Sequence, residues 1–366
     1  MTDLAHMAAA LSLARRGLGQ VWPNPAVGCV IVKEGRVVGR GWTQPGGRPH
    51  AETEALQRAG AAARGATAYV TLEPCAHHGK TPPCAEALIA AGIARCVVAT
   101  GDPDARVAGR GLGLLRAAKI AVTEQVLGDE ARALNAGFLS RVEQGRPLVT
   151  LKLAMTLDGR IATAGGESKW ITGEAARAHV HGLRATHDAV MVGNQTALED
   201  DPKLDVRLPG LEHRKPVRIV AGGRISLPAD SHLLATARAQ PTWMLLPEAA
   251  DAERRRDLEE RGVRVFGIAA ARAGKSGIDL GAALAELGRQ GLTRVLVEGG
   301  GHLAGNLLLA GLVDRLALYR APLLLGADAR AGVAPLGLQR LADAPGFRLL
   351  EALDLGPDRF EHYGRR

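Results

Sequence analysis

Residues that commonly bind zinc accompany a carboxylate in the first quarter of the chain. His50 precedes Glu52 by two positions, and Cys75 and Cys84 follow. Zinc held by three protein ligands keeps a fourth tetrahedral position for water, whose pKa falls to about 7, so hydroxide is available at neutral pH. Glu52 could then carry a proton from this water to a leaving amine. The residue types predict a metal site on His50, Cys75 and Cys84, with Glu52 as the catalytic residue of a hydrolytic deamination.

The spacing of these residues departs from the general signature of zinc nucleobase deaminases, in which two residues separate the cysteines. Here eight residues separate Cys75 from Cys84. The alternatives are a structural zinc closed by His77 or His78, or two unrelated buried thiols. Because two prolines precede Cys84 and a helical pattern follows it, we expect Cys84 at a helix N-terminus, where the dipole favours a thiolate.

A second group of chemically capable residues follows a buried strand near the end of the chain. Glu298 stands at the end of the strand predicted at 294–297, and three glycines at 299–301 lead through His302 into an apolar helix predicted at 303–309. Glycines between a strand and a helix expose backbone N–H groups that suit a phosphate. The spacing is not the dinucleotide-binding fingerprint, and a tight packing turn is the alternative.

The elements that must position the first site alternate between helix and strand. The sequence predicts helices at about 3–16, from 50 onwards, at 85–91 and at 111–118, and strands at 26–33, 37–41, 68–72, 95–100 and 120–125. Such alternation predicts a sheet covered by helices. The polar stretch 143–147 contains Gly145 and Pro147 and precedes a new strand at 148–154. We therefore place a domain boundary there, between residues 1–145 and residues 146–366.

The second part repeats this alternation with different elements. Further strands are predicted at 189–192, 217–220, 242–246, 263–266, 294–297 and 315–319, with helices at 174–184 and 252–261. The two parts share no fixed period, which indicates two different α/β modules.

The composition limits the classes to which this protein can belong. The chain has 366 residues, of which 46% are hydrophobic, enough for about two domains with their own cores. The net charge of +8 favours an anionic partner such as nucleic acid, a membrane surface or a phosphorylated metabolite, but aromatic residues total only 3%, which leaves few stacking platforms for single strands. Four cysteines are too few for a disulfide scaffold, and no signal peptide or spanning segment is recognisable, so we expect a cytoplasmic protein.

Three motifs of the first half resemble the bifunctional pyrimidine deaminase/reductase family of riboflavin biosynthesis. They are PNPAVG at 23–28, HAE at 50–52 and EPCAHHGKTPPC at 73–84. The long loop between the cysteines is the expected form in that family. The resemblance implies a cytidine-deaminase-like α/β/α sandwich with zinc on His50, Cys75 and Cys84 and Glu52 as proton shuttle. One departure is the loop at 102–109, DPDARVAG, whose middle pair differs from the family pattern, so a substrate role for Asp104 and Ala105 is less secure.

The second half resembles the reductase of the same family, which implies a dihydrofolate-reductase-like α/β fold. The matching segments are KLAMTLDGRIA at 152–162, SKWITG at 168–173, residues 184–193, TALEDDP at 196–202 and VEGG at 297–300. By motif, NADPH binding is assigned to Ala154, Trp170, Thr196, Asp200 and the turn made by Gly300, Gly301, His302, Leu303, Ala304, Gly305 and Asn306. The family's aspartate after the strand at 217–220 is replaced by Ala221-Gly222, so the contact it would make is absent or supplied elsewhere.

The resemblance also assigns the ribosyl phosphate substrate to Ser168, Arg184, Leu204, Arg207 and Glu298. Two arginines and a serine suit a phosphate monoester, and a carboxylate can accept hydrogen bonds from ribose hydroxyls. Lys152 could act as a catalytic residue that polarises or protonates the nitrogen of the substrate as hydride arrives. Without the resemblance, a solvated surface charge would be the ordinary interpretation of each cation.

Two consecutive reactions on one chain are therefore expected. The first is hydrolysis of the 2-amino group of 2,5-diamino-6-ribosylamino-4(3H)-pyrimidinone 5′-phosphate, and the second is reduction of the ribosyl group to ribityl with NADPH. The partner is then a small phosphorylated pyrimidine, with neither nucleic acid nor membrane, and the chain forms a homo-oligomer. The alternatives are a deaminase of tRNA or single-stranded DNA with an accessory second domain, and a non-catalytic protein, which would be expected to have lost Glu52 or a ligand.

Overall fold

The chain forms two compact units, Met1–Gly145 and Arg146–Arg366, each of which is described by itself. The computed structural model describes residues 2–78, 82–104, 107–223, 227–271 and 277–366. Gly79, Lys80 and Thr81 of the long cysteine loop, and Ala105 and Arg106 of the loop at 102–109, lie outside the described residues.

The first unit contains six helices and five strands among its described residues. In chain order they are α1 (Asp3–Ala14), β1 (Gly28–Lys33), β2 (Arg36–Trp42), α2 (Ala51–Ala59), β3 (Thr67–Val70), α3 (Cys84–Ala90), β4 (Arg95–Val98), α4 (Arg110–Ala117), β5 (Ala121–Thr123), α5 (Gly128–Leu134) and α6 (Ala136–Gln144). The strand order is β2-β1-β3-β4-β5, with β3, β4 and β5 parallel and β1 antiparallel to both of its neighbours.

Both faces of this sheet are covered, and β1 shows how. Cys29 and Ile31 point to a core that includes residues of α2, α3 and α4, whereas Val30 and Val32 point to a core that includes residues of α1 and α5. Successive side chains of a strand point to opposite faces, so a run of apolar residues supplies both cores. The result is an α/β/α sandwich, as the sequence predicts.

Glycines in β1 and β2 let two helices lie directly against the sheet. A Cβ atom at Gly28 would lie 1.9 Å from the Ala10 carbonyl oxygen of α1, and one at Gly41 would lie 2.2 Å from the Ala51 carbonyl oxygen of α2. No side chain fits in either gap, because heavy atoms in contact lie more than 3 Å apart. The distance between α2 and the sheet is therefore fixed by glycine.

The second unit is built on a longer sheet. Its elements are β6 (Leu148–Thr156), β7 (Arg160–Ala162), α7 (Glu174–Ala185), β8 (Ala189–Gly193), α8 (Asn194–Asp200), β9 (Val217–Ala221), α9 (His232–Ala235), β10 (Thr242–Pro247), α10 (Ala252–Glu260), β11 (Arg264–Ile268), α11 (Leu280–Arg289), β12 (Arg294–Glu298), α12 (Gly301–Leu309), β13 (Arg315–Ala321), β14 (Arg330–Ala331), β15 (Phe347–Leu355) and β16 (Asp358–Arg365).

Among the described residues of this unit, nine strands form one sheet in the order β11-β10-β9-β8-β12-β6-β13-β16-β15, and β7 pairs separately with β14. Strands from β11 to β13 are parallel, and β16 and β15 complete the sheet in antiparallel pairing. The buried Asp188 carboxylate fixes the start of β12, because it accepts hydrogen bonds from the Thr293 N–H and hydroxyl and from the Arg294 N–H. The central strands β6 and β12 are nearly continuous apolar runs, as expected of parallel strands that are covered on both faces.

Some predicted elements differ from those observed. The sequence analysis does not identify α5 and α6, and Glu143 and Gln144, predicted as part of a linker, are the last residues of α6. The hairpin of β15 and β16 is also missing from the prediction. The turn assigned at 300–306 is helical from Gly301 onwards, so the helix predicted at 303–309 begins two residues earlier, directly after Gly300 adopts a positive φ of 82°.

Candidate active sites

The first candidate site joins three segments of the first unit. His50 caps the N-terminus of α2, Cys84 is the first residue of α3, as expected, and Cys75 follows β3. The Nδ1 atom of His50 lies 3.3 Å from the Cys84 sulfur and 3.7 Å from the Cys75 sulfur. Among the described residues, these three form a cluster whose donor atoms all lie within 4.8 Å of one another.

The geometry of this cluster fits a zinc ion. Tetrahedral zinc with bonds of about 2.0–2.3 Å to nitrogen and sulfur requires nitrogen–sulfur separations of roughly 3.5 Å. The two observed separations, 3.3 and 3.7 Å, bracket this value. Three protein ligands leave one tetrahedral position open, which is typical of catalytic zinc sites. His78, a candidate fourth ligand, instead lies with its Nε2 atom 3.1 Å from the Glu86 carboxylate.

The two cysteines differ in their electrostatic environment. Hydrogen bonds from the Cys84 thiol, and from His50, lower the pKa of Cys75 to about 4 despite its burial. The Cys84 backbone N–H also donates to the Cys75 sulfur at 3.3 Å, so the N-terminus of α3 contributes to this effect. The pKa of Cys84 is raised well above its usual value, since its thiol donates to Cys75 and is buried. A bound cation would compensate the charge of a second thiolate.

Glu52 lies in the first turn of α2 and is 4% exposed. It does not belong to the cluster of donor atoms, which agrees with a residue that handles protons rather than binding metal. Burial, followed by the negative charge of Cys75, raises the pKa of its carboxyl to about 7. A carboxyl group with a pKa near neutrality both accepts and releases protons easily, which suits general acid–base catalysis.

Glu73 is a site residue that the sequence analysis missed. Its buried carboxylate accepts hydrogen bonds from the backbone N–H groups of Gly109 and Gly111 at 3.0 Å each, and of Leu112 at 3.3 Å. It thereby joins the segment that carries Cys75 to the N-terminus of α4. The sequence feature that could have indicated this role is the position of Glu73, at the end of a predicted buried strand and directly before Pro74. No cation is predicted beside it that could compensate its charge.

The second candidate site lies where β12 ends in the second unit. The Glu298 carboxylate receives two parallel hydrogen bonds from Arg184 of α7, at 2.5 Å from Nε and 2.9 Å from Nη2. Burial by itself raises the pKa of Glu298, but the Arg184 guanidinium outweighs burial and holds it at about 2. The structure therefore brings together two residues that the sequence analysis assigned separately to the substrate, as a buried ion pair.

Lys152 stands beside this pair. Its Cα atom is the register partner of Glu298 on the adjacent strand β6. Burial lowers the pKa of the Lys152 ammonium, while the charges of Glu298 and Asp200 act in the opposite direction. An ammonium group with a lowered pKa donates its proton more readily than an exposed one.

Some of the residues assigned to the cofactor lie at the same end of the sheet as Glu298 and Lys152. Ala154 is on β6, Thr196 and Asp200 are on α8, and a Cβ atom at Gly300 would lie 3.2 Å from the Thr196 hydroxyl oxygen. Trp170 lies in the segment between β7 and α7 with 69% of its surface exposed, and the Arg177 guanidinium lies 4.6 Å from the centre of its ring. Ser168 is partly exposed in that segment.

The residues of α12 differ in exposure. Gly301 and Leu303 are partly exposed, and His302 and Asn306 are exposed. Ala304 and Gly305 are buried, and a Cβ atom at Gly305 would lie 3.3 Å from that of Ala334. A helix presents only one side to a neighbour, so the first residues of α12 are better placed for a ligand than its buried residues.

The two sites define a class of protein in which a zinc deaminase module precedes a reductase module. Residues 1–100 match the family described as the cytidine and deoxycytidylate deaminase zinc-binding region, which includes all three residues of the metal cluster, and residues 147–359 match the RibD C-terminal domain. The chain belongs to the RibD family of bifunctional deaminase/reductases of riboflavin biosynthesis. The RibD reductase domain uses NADPH.

Similarity to individual relatives extends over nearly the whole chain. The riboflavin biosynthesis protein RibD of Escherichia coli K12 is 46% identical, with 98% of each chain covered, and that of Haemophilus influenzae is 42% identical, with 97% of this chain and 95% of the relative covered. The structure of Acinetobacter baumannii RibD has a TM-score of 0.89 at 40% identity, covering 100% of this chain and 99% of that one.

A Thermotoga maritima structure is described as a diaminohydroxyphosphoribosylaminopyrimidine deaminase/5-amino-6-(5-phosphoribosylamino)uracil reductase. It matches with a TM-score of 0.86 at 32% identity, covering 100% of this chain and 99% of that one. These comparisons confirm the predicted family, fold class and pair of activities. No helix in the described part of the chain has the length and apolar character needed to cross a membrane.

Proposed function

We propose that residues 1–145 remove the 2-amino group of the diaminopyrimidine ribotide, with zinc held by His50, Cys75 and Cys84. Bound zinc would lower the pKa of a water molecule so that it can attack the pyrimidine carbon at neutral pH. The chain's own contribution is to fix three ligands on three segments, with α2 and α3 each presenting a ligand at its N-terminus.

Glu52 moves the protons of this reaction. Its carboxylate accepts a proton from the attacking water and returns it to the amino group, which leaves as ammonia. Because Glu52 and His50 lie two positions apart at the start of the same helix, the proton acceptor keeps a fixed distance from the metal ligand. Burial, which raises the pKa of the carboxyl to about 7, makes Glu52 a stronger base for the proton of the water and still allows the proton to be returned near neutral pH.

We propose that residues 146–366 reduce the deaminated product. Bound NADPH would supply a hydride to C1′ of the ribosyl group, which accepts it in its open imine form. The Glu298–Arg184 pair orients the ribosyl phosphate together with Ser168, Leu204 and Arg207, and Lys152 protonates the nitrogen that gains electrons. The cofactor is held by Ala154, Trp170, Thr196, Asp200 and the start of α12 from Gly300 to Asn306.

Two features support the proposed partners. The RibD assignment accounts for both halves of the chain, so a small phosphorylated pyrimidine in the cytoplasm, rather than nucleic acid, is the partner we infer. A homo-oligomer is supported by large apolar side chains exposed near the C-terminus of the second unit, where Leu341 is 92% and Leu324 is 72% exposed. Apolar side chains of this kind that lie together on one surface are typical of an interface that another chain covers.

The observation that carries this proposal is the convergence of His50, Cys75 and Cys84 beside a buried carboxyl, with a second, separate charged site at the end of β12. The test is to incubate the zinc-loaded protein with the diaminopyrimidine ribotide, with and without NADPH, and to follow ammonia and NADPH separately. Ammonia should appear in both samples, and NADPH oxidation should follow only after deamination. If ammonia is released only in the presence of NADPH, or NADPH is oxidised without deamination, the assignment of two separate sites is wrong.

A further inference from the structure

Arg184 is held on two sides by the protein. Its Nε and Nη2 atoms donate to Glu298, and its Nη1 atom donates to the backbone carbonyl of Asp205 at 2.9 Å. A guanidinium group has five N–H donors, so one hydrogen each on Nη1 and Nη2 remains beyond these three bonds. These remaining donors are the ones that a bound phosphate could use.

Arg207 donates no such pair of hydrogen bonds to a carboxylate of the described residues. Its side chain is 57% exposed, and its Nη2 atom lies 3.5 Å from the Nε2 atom of His181. The only acidic group that the described ion pairs give to Arg207 is the side chain of Asp205, whose Oδ1 atom lies 3.4 Å from Nε. A long exposed side chain loses conformational freedom when it binds a ligand, so a group that holds it beforehand favours binding.

Asp205 faces both arginines at once. Its Oδ1 atom lies 4.0 Å from the Arg184 Nη1 atom as well as 3.4 Å from Arg207 Nε, and this oxygen is buried without a hydrogen bond from the described residues. The two guanidinium groups therefore compensate its charge. The preceding residue, Leu204, is buried and adopts a positive φ of 51°, a conformation that is unfavourable for leucine. This unfavourable conformation directly precedes Asp205, whose Oδ1 atom faces the two arginines.

We propose that Asp205 is a positioning residue of the reductase site, whose carboxylate holds the Arg207 guanidinium beside that of Arg184 for binding of the substrate phosphate. This inference rests on the proposed function, which assigns both arginines to the ribosyl phosphate. Asp205 itself does not touch the substrate. It lies beside Nε of Arg207 and does not occupy the Nη donors of that guanidinium, whereas Glu298 accepts hydrogen bonds from both Nε and Nη2 of Arg184.

The role predicts that the negative charge of Asp205 holds Arg207. The Oδ1 atom lies 3.4 Å from Arg207 Nε as an ion pair, with no hydrogen bond from the described residues, so the attraction between the two groups is electrostatic. Asp205→Asn keeps an oxygen and removes the charge, and Asp205→Ala removes both. We expect a KM for the phosphorylated substrate about 3- to 10-fold higher than the wild-type value for both variants, as expected when a long side chain must be immobilised on binding.

The experiment measures NADPH oxidation by the full-length, zinc-loaded protein with 5-amino-6-(5-phosphoribosylamino)uracil, and with the same compound lacking its phosphate. The expected loss appears in KM rather than kcat, and only with the phosphorylated compound. Glu212→Ala is the matched control, because it removes a carboxylate from an exposed residue of the same unit. The affinity for NADPH, measured by fluorescence, reports whether each variant keeps its fold.

A double-mutant cycle with Arg207→Ala isolates the proposed interaction. If Asp205 acts through Arg207, Asp205→Ala has no further effect in the Arg207→Ala background. An equal loss in both backgrounds, or a wild-type KM for Asp205→Ala, overturns the proposal. If Arg207→Ala itself leaves KM unchanged, the assignment of the phosphate to this site is wrong, which is a failure of the proposed function and not only of this inference.

A second variant covers the case in which Asp205→Ala disturbs the fold. Asp205→Ser keeps a polar side chain that is too short to reach Arg207, and we expect it to raise KM as alanine does. If both variants lose affinity for NADPH, the role of Asp205 is structural and the proposal is refuted.

Discussion

Replacing Glu298 by glutamine tests whether the buried pair with Arg184 holds the second unit together. Glutamine has nearly the shape of the protonated glutamate, so the substitution removes the charge while the side chain keeps its size. It leaves the Arg184 guanidinium, only 12% exposed, with no carboxylate closer than that of Asp205, whose Oδ1 atom lies 4.0 Å from Nη1. We therefore expect a loss of stability as well as of reduction, which means that activity alone cannot identify the role of Glu298.

The size of this loss follows from the electrostatics of the pair. The pKa of Glu298 is depressed from 4.5 to about 2 although burial acts to raise it. A depression of this size corresponds to about 3 kcal/mol in favour of the ionised form. Breaking a buried ion pair by removal of one partner costs roughly 3–5 kcal/mol, in agreement. Because the folded-state pKa is depressed, this stabilisation is present above about pH 4.5 and is lost as the pH falls toward 2.

Hydrogen exchange followed by mass spectrometry at pH 7 measures the effect within the intact chain. A loss of about 3 kcal/mol should speed exchange of peptides from β6 and β12 roughly 100-fold, while peptides from the first unit remain unchanged. Glu199→Gln is the control, because its pair with Arg330 is about half exposed on both sides and should contribute less than about 1 kcal/mol. An acceleration below about tenfold for Glu298→Gln, or an equal effect of Glu199→Gln, would refute the reasoning.

Three further predictions concern other buried groups. Glu52→Gln should keep one zinc per chain by metal analysis yet slow ammonia release on the order of 10²-fold or more, with reduction of deaminated substrate unaffected; loss of zinc would contradict its role. Cys84→Ser should lower zinc content, whereas Cys96→Ser, an equally buried thiol outside the cluster, should not. Burial lowers the pKa of His187, which donates to the Leu183 carbonyl and accepts from the Thr150 hydroxyl, to about 3. Because the unfolded chain then binds one more proton than the folded chain, the free energy of unfolding falls as the pH drops below about 6.5. In urea titrations, His187→Gln should make the loss of unfolding free energy between pH 7 and pH 5 smaller by about 2 kcal/mol. An unchanged loss would exclude this role.

The sequence allowed prediction of the elements that carry strong local patterns. The apolar runs of β1, β4, β6 and β12 were identified because strands buried on both faces have few polar residues. The helices α5 and α6 and the hairpin of β15 and β16 were not, since they begin without a side-chain cap or alternate weakly between apolar and polar residues. Their positions are decided by packing against the rest of each unit, which no short window of sequence contains.

The candidate sites likewise contain residues that the sequence could group and residues whose contacts it could not predict. His50, Cys75 and Cys84 could be grouped from the sequence because their residue types bind one metal and their spacing matches a family. The contact between Arg184 and Glu298 joins residues 114 positions apart, and neither side chain carries a local signal of its partner. Glu73 was missed for another reason, because its partners are backbone N–H groups, which every residue except proline possesses.

The glycines of β1 and β2 mean that part of the deaminase geometry depends on positions where no side chain is present. A methyl group at Gly41 would overlap the Ala51 carbonyl at 2.2 Å, so α2 would have to rise from the sheet. His50 and Glu52 would move with the helix, while Cys75 and Cys84 belong to other segments and would stay. A displacement of about 1 Å can cost on the order of 10²-fold in rate. Position 41 is thus expected to be as intolerant of mutation as a catalytic residue, although it has no side chain with which to perform chemistry.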